Sequence, residues 1–392
     1  MKPILLLLVC LGALALSPSA EGTNFTKKVN AKVWAHIMPW FETRDSSGTG
    51  QWGIHWTMAN KNPDIIDGSG KRQIAAHYYP EIGPYGSGQY ETVEYQLNMM
   101  KYAGIDGVLI DWPGTVNAWD YPKNKANSEE IIRGCERLGL EFAIVYEDHN
   151  IGMAFDSGFI GDKIGAAQAD MGYLKDVYMP KGNYIRVNGA PLLLDFGPQT
   201  FMSPGEWDAI FAPFGGQRPT FLTLWYQSHQ ANAAGEYNWI YSDFLDGLRN
   251  FYNNRPLGVK MGNAYPGFNT FYDQGGWPGP GWSLPTGLDT FQQTLNLAVQ
   301  SGVPFIQLAT WNDYGEGTMV EPTREFGNGF LNILQNTLGV PFGNAELETV
   351  KKLHSLRVMH KNDKTKNAVL DIAARHLADL KPQEAAQILN TL

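Results

Sequence analysis

Between Val33 and about Gly339, short apolar runs alternate with stretches whose apolar positions return every three or four residues. The runs at Val33–Met38, Gly107–Asp111, Phe142–Glu147, Pro191–Phe196, Thr220–Trp225, Val259–Ala264 and Pro304–Thr310 are predicted strands. A further strand is expected between Asn238 and Gly247, where the pattern is weaker. From Thr92 to Ala103, Val93, Leu97 and Met100 recur at helical spacing, and Glu129 to Cys135 also reads as helix. Strands written as continuous apolar runs and separated by helices belong to a parallel sheet covered on both faces. Their number and the chain length favour a closed α/β barrel of the (β/α)8 TIM type, over residues 31–342, rather than an open doubly wound sheet.

Three regions fall outside this alternation. Residues 1–20 hold one lysine, an apolar run from Ile4 to Leu16 and then Ser-Pro-Ser-Ala, the order of a secretory signal peptide. A secreted or periplasmic protein is therefore expected. Thr43–Lys71 and Gly267–Thr286 are too long and polar for simple connectors; with Trp52, Trp56, Trp277 and Trp282 they are predicted to wall a cleft at the C-terminal face of the barrel. Residues 345–392 turn charged and Ala/Leu-rich, with a break near Lys361–Lys366, and predict a C-terminal helical hairpin.

Composition narrows the partners. The net charge is −9 over 392 residues with no basic block, which argues against nucleic acid. No run approaches the roughly 20 apolar residues of a membrane helix. Once the leader is removed Cys135 stands alone, so no intramolecular disulfide forms. The 12 Trp and 18 Tyr, many in Gly/Pro-rich segments, suit the apolar faces of sugar rings, although core packing is the better account of any single one. A monomer is expected.

The predicted strands end in polar and aromatic residues. Gly107–Ile110 runs into Asp111-Trp112, Phe142–Val145 into Tyr146-Glu147-Asp148, Leu192–Leu194 into Asp195, and Thr223-Leu224 into Trp225-Tyr226. Ile306–Thr310 leads into Trp311-Asn312-Asp313-Tyr314-Gly315-Glu316. In a barrel these ends converge on one mouth, where acids from separate strands become neighbours. Glycoside hydrolysis uses two carboxyl groups, and Asp313 with Glu316 would supply them if the segment bends at Gly315 and Gly317. The same spacing also occurs where an acid merely caps a helix.

The segment from Trp311 to Pro322 resembles the end-of-barrel motif shared by glycoside hydrolase families 71 and 99, endo-α-1,3-glucanases and endo-α-mannosidases. Gly53-Ile54-His55-Trp56, His77 to Tyr85, Gly104 to Trp112 and Tyr146-Glu147-Asp148 resemble further landmarks in the same order. Asn312 to Glu316 has the glucanase form, whereas Gly317-Thr318 with Glu321-Pro322 has the mannosidase form. The resemblance implies a hydrolase of α-linked oligo- or polysaccharide, α-glucan or α-mannan. It makes Glu316 the general acid and Asp313 the base. His55, Trp56, Tyr79, Asp111, Trp112, Tyr146, Glu147, Asp148, Asp195, Trp225, Tyr226, Tyr265 and Asn312 would form sugar subsites.

Two other readings compete. Asp111, Glu147, Asp148, His149 and His77 would have to gather round a metal, but no tight ligand spacing such as His-Glu-x-x-His is present, and no metal or cofactor is expected. A carbohydrate-binding barrel without catalysis would keep the fold and lose the turnover.

Overall fold

The alternation closes on itself. A computed structural model describes residues 25–254 and 257–392; the leader expected over residues 1–20 lies outside them. The strands are β1 (Lys32–Ile37), β2 (Gly107–Trp112), β3 (Glu141–Tyr146), β4 (Arg186–Val187), β5 (Ala190–Asp195), β6 (Thr220–Leu224), β7 (Gly235–Tyr237), β8 (Val259–Ala264) and β9 (Phe305–Leu308). All but β4 run parallel in one ring, which β3 and β5 close through Ile144 opposite Leu193. β4 only pairs antiparallel with the start of β5. Every residue of β2 is buried, because the barrel interior covers one face and the outer helices the other.

The weak strand lies at Gly235–Tyr237, not between Asn238 and Gly247, where the helix Phe244–Asn254 begins instead. Its sequence hides it. A side chain at Gly235 would collide with the carbonyl of Val259 at 1.9 Å, so glycine is required where a strand former would be expected. Glu236 is buried and accepts from the amides of Tyr226 and Ser228, each over 3.0 Å.

The tail is three helices rather than a hairpin: Asn344–Met359, Lys364–Ala378 and Pro382–Leu389. Asp363 caps the second by accepting from the amide of Lys366 over 3.0 Å. Pro382 opens the third, a position that suits proline's fixed φ and missing N–H. The tail packs on the helix Tyr90–Tyr102, where Arg357 grips both oxygens of Glu94 at 3.0 and 3.1 Å. Among the described residues, no helix is long and apolar enough to cross a membrane.

Candidate active site

Beyond β9 the chain folds into a tight loop that presents Asp313 and Glu316. The amide of Thr310 donates to the carbonyl of Thr318 over 2.8 Å, and that of Trp311 to the carbonyl of His36 over 2.6 Å. Within the loop the amide of Asp313 donates to Oγ1 of Thr310 over 2.7 Å, and the amide of Glu316 to Oδ1 of Asp313 over 3.0 Å. Gly317 adopts a left-handed φ of 67°, and a Cβ there would stand 2.7 Å from the carbonyl oxygen of Asn269. That close approach lets the 267–286 loop dock: Asn269 and Phe271 donate their amides to the carbonyls of Glu316 and Gly315, each over 2.8 Å.

Two buried braces hold the loop from below. Asn312 accepts from the amide of Met38 over 2.8 Å and donates to its carbonyl over 3.0 Å, copying a strand pair. Glu321 accepts from the hydroxyls of Tyr85 and Tyr314 over 2.7 and 2.8 Å and from Nε2 of Gln96 over 2.8 Å.

Burial separates the protonation states of the carboxyl groups. It pushes Asp313 up to about 6, opposed by the amide of Glu316 and by His55 and His36 nearby. Glu316 rises further, to about 8, through burial and then the charge of Asp313, opposed by its bond to Tyr272. At neutral pH Asp313 is therefore mostly ionised and Glu316 mostly protonated. Asp111 is raised to about 7 by burial and by Asp313, while a hydrogen bond from Glu147 pulls it back. Glu147 is held well above the usual carboxylate range by burial and by Asp111. Two carboxyl pairs thus meet at the mouth, from the ends of β2, β3 and β9.

Of the predicted subsite residues, Asp111, Glu147 and His55 belong to this group. Several others are spent on structure. Trp56 is fully buried against Phe41 and donates Nε1 to the carbonyl of Tyr85 over 2.8 Å. The hydroxyl of Tyr79 accepts from the amide of Arg72, and its ring lies under Arg324 at 4.5 Å. Trp112 is buried against Tyr173 and Tyr178. Tyr146 donates to Asp170 over 2.8 Å, and Tyr265 is buried with its backbone tied to Thr294. Asn312 is the brace described above. Asp148 accepts from the amides of Gln199, Thr200 and Phe201 over 2.7–3.0 Å, which fixes the chain beyond β5. Asp195 is fully buried, raised well above the usual range by burial and by Asp148, and reached by the amide of Asp148 at 3.3 Å. Trp225 is buried beneath the half-exposed ring of Tyr226, stacked at 4.4 Å.

Other residues come forward that the sequence did not single out. Tyr272, on the docked loop, donates to Oε1 of Glu316 over 3.2 Å. A cleft of about 550 Å³ runs from Trp40 and His55 to Trp119, Asp120 and Met153. His55 stacks flat on Trp40 at 4.3 Å, and its Nε2 lies 3.6 Å from Asp120. Trp119 is 50% exposed and stands edge-on to Tyr121 and Phe159. In the sequence it sits in a polar connector without periodicity, so only its residue type marked it. Among the described residues no three metal-ligating side chains converge; His149 is exposed, and Nε2 of His77 lies 3.1 Å from the carbonyl of Thr270.

No protein-family model matches the chain, and no curated protein matches its sequence. Its fold is nevertheless that of known structures. The GH99 endo-α-mannosidase from Bacteroides thetaiotaomicron superimposes with a TM-score of 0.62 at 16% identity, over 82% of this chain and 98% of that one. A glycoside hydrolase-like protein superimposes with a TM-score of 0.56 at 14% identity, over 80% of this chain and 95% of that one. The barrel implied by the sequence motifs is thus the one the chain adopts.

Proposed function

We propose that this chain is an exported glycoside hydrolase acting on an α-linked glycan, with Glu316 as general acid and Asp313 as base. The observation that carries the reading is the pair of carboxyls on one loop, Asp313 buried and Glu316 half-buried, joined by the amide of Glu316 on Oδ1 of Asp313 over 3.0 Å, with Asp313 raised to about 6 and Glu316 to about 8. Environments that push two acids apart in this way mark acid and base assignments. Glu316 gives its proton to the leaving glycosidic oxygen as the bond to the anomeric carbon breaks. Asp313 takes a proton from the attacking group, either water or the sugar's own 2-hydroxyl. Both routes give the two residues the same duties. Asp111 and Glu147 hold sugar hydroxyls at the same mouth, and the cleft toward Trp119 accommodates further sugar units. The GH99 endo-α-mannosidase that shares the fold supports an α-mannoside as substrate, and the glucanase form of Asn312 to Glu316 keeps an α-glucan beside it. The leader at residues 1–20 supports export.

The test is to incubate the mature protein with α-glucans, α-mannans and short α-linked oligosaccharides beside a Glu316→Gln variant, and to follow new reducing ends. Release by the wild type alone is expected. Glycan binding by both proteins without turnover would instead make the chain a binding barrel.

A further inference from the structure

His36 has no duty in this acid–base scheme, yet it forms the floor beneath it. It lies on β1, fully buried, with its ring edge-on to Trp239 at 5.0 Å. Its Nε2 is 3.5 Å from Oδ2 of Asp111 on the neighbouring strand. Neither ring nitrogen makes a well-formed hydrogen bond among the described residues, although the side chain of Gln307 stands close enough to favour the charged ring. A residue that only filled the barrel would be better apolar, because a buried polar atom without a bond costs stability. Burial lowers the imidazole to about 4, opposed by Asp313 and Gln307, so the ring is neutral and has one N–H to give.

The groups around it come from every side. Asp111 faces it from β2, Gln307 from β9 and Asp313 from the loop beyond β9. Glu147, at the end of β3, adjoins Asp111, whose charge helps to raise it. Tyr237 on β7 feels Asp195, Asp111 and Glu147 together, so all three carboxyls share one buried field.

We propose that His36 is a positioning residue, giving its Nε2 proton to Asp111 so that the proton shared by Asp111 and Glu147 resides on Glu147, where it is presented to a sugar hydroxyl. The proposal rests on the glycosidase reading. Two carboxyls with one proton between them leave it on the group whose anion is less stabilised. The negative charge of Asp313 favours protonation of Asp111, and a donor from His36 reverses that preference. At 3.5 Å the contact is at the long end for an N–H···O bond, as hydrogen bonds of a catalytic site often are before substrate binds.

Two variants separate this role from packing. His36→Gln keeps an N–H donor, and His36→Leu removes it. His36→Leu is expected to lose about 10- to 100-fold in kcat/KM, the worth of one hydrogen bond to a charged group. The ascending limb of its pH profile should move up by about one unit, because Asp111 without its donor takes up a proton at higher pH, whereas the descending limb set by Glu316 stays in place. His36→Gln should keep the limbs in place. Equal losses in both variants with unmoved limbs would overturn the proposal.

A second measurement needs no substrate. In ¹⁵N-histidine spectra, the signal that disappears in His36→Gln should report a neutral ring protonated at Nε2 from pH 5 to 8. A proton on Nδ1, or a charged ring, overturns the proposal. If no glycan is cleaved, the glycosidase reading and the catalytic part of this role fail together, while the spectra still decide where the proton of His36 lies.

Discussion

The hydroxyl of Tyr272 donates to Oε1 of Glu316 over 3.2 Å, across a gap of 44 residues in sequence. The bond joins the 267–286 loop to the segment that carries both candidate catalytic carboxyls. Two backbone bonds, from Asn269 and Phe271, fix the same junction. The proposed acid is therefore held by a loop with little regular structure of its own, and its proton affinity depends on how that loop docks.

Removing the Tyr272 hydroxyl should change the acid before it changes the fold. The bond opposes the upward shift of Glu316, so Tyr272→Phe raises the pKa of the acid further. Wild-type kcat/KM is expected to rise through about pH 6 and to fall through about pH 8, as the coupled pair titrates. In Tyr272→Phe the descending limb should move up by about half a unit to one unit, the worth of one hydrogen bond. A pH–rate profile of the two proteins checks this, and an unmoved limb would count against Glu316 as the acid.

Glu316 should also make the fold sensitive to pH. Its folded value, about 8, lies above the ordinary 4.5, so its protonated form is favoured by folding. That contribution is fully present below about pH 4.5 and is lost as pH rises toward 8. Glu316→Gln carries no such charge. It should match the wild type near pH 4.5 and exceed it at pH 8.5 by at least about 1 kcal/mol, a gain obtained by removing a functional group. Thermal melts of both proteins across this range decide the matter. Equal melting curves at every pH would mean that the carboxyl is more solvated than its surroundings suggest.

The sequence carried the barrel because periodicity reports burial, and most strands here are buried on both faces. β8 falls at Val259–Ala264 as expected, and the other long runs shift by a residue or two where the last apolar position turns into the mouth. Gly235–Tyr237 was illegible because close backbone packing and a buried carboxylate replaced the apolar run. The acids at strand ends were legible as a set, but their duties were not. Asp111 and Asp148 look alike in sequence, and only the partners of each oxygen separate a group facing other carboxyls from one consumed by amides. His36 was missed because one polar residue inside a strand pattern carries no period of its own.

Asp148 therefore supplies a contrast with the proposed catalytic pair. Its carboxylate takes three backbone amides, at Gln199, Thr200 and Phe201. An asparagine there offers one acceptor oxygen and turns an N–H₂ toward groups that also donate. Asp148→Asn should lower the unfolding free energy by about 2–4 kcal/mol, the range for a buried charge-assisted network. Well below its melting temperature, KM should stay within about three-fold of wild type, since small substrate effects follow when no direct contact is lost. Denaturant unfolding and steady-state kinetics on one sample test both halves. A large rise in KM without a loss of stability would return Asp148 to the subsites.

Trp119 should behave in the opposite way. Half of its surface is exposed, and its edge-on contacts with Tyr121 and Phe159 leave much of the ring open to the cleft. Little packing is lost on truncation, so Trp119→Ala should change the unfolding free energy by less than about 1 kcal/mol. The same cleft contains His55, which lies close enough to Asp313 to bias its ionisation, so under the glycosidase reading a sugar chain bound across the loop would extend toward Trp119. A pyranose stacked on the indole contributes about as much as an aromatic pair, which corresponds to roughly a three- to ten-fold effect on KM. Substrates too short to reach the ring should show no difference. Measuring KM along a ladder of α-linked oligosaccharides from two to six units separates the cases: a loss that begins only at longer chains places a sugar on Trp119, whereas a uniform loss reports a disturbed loop.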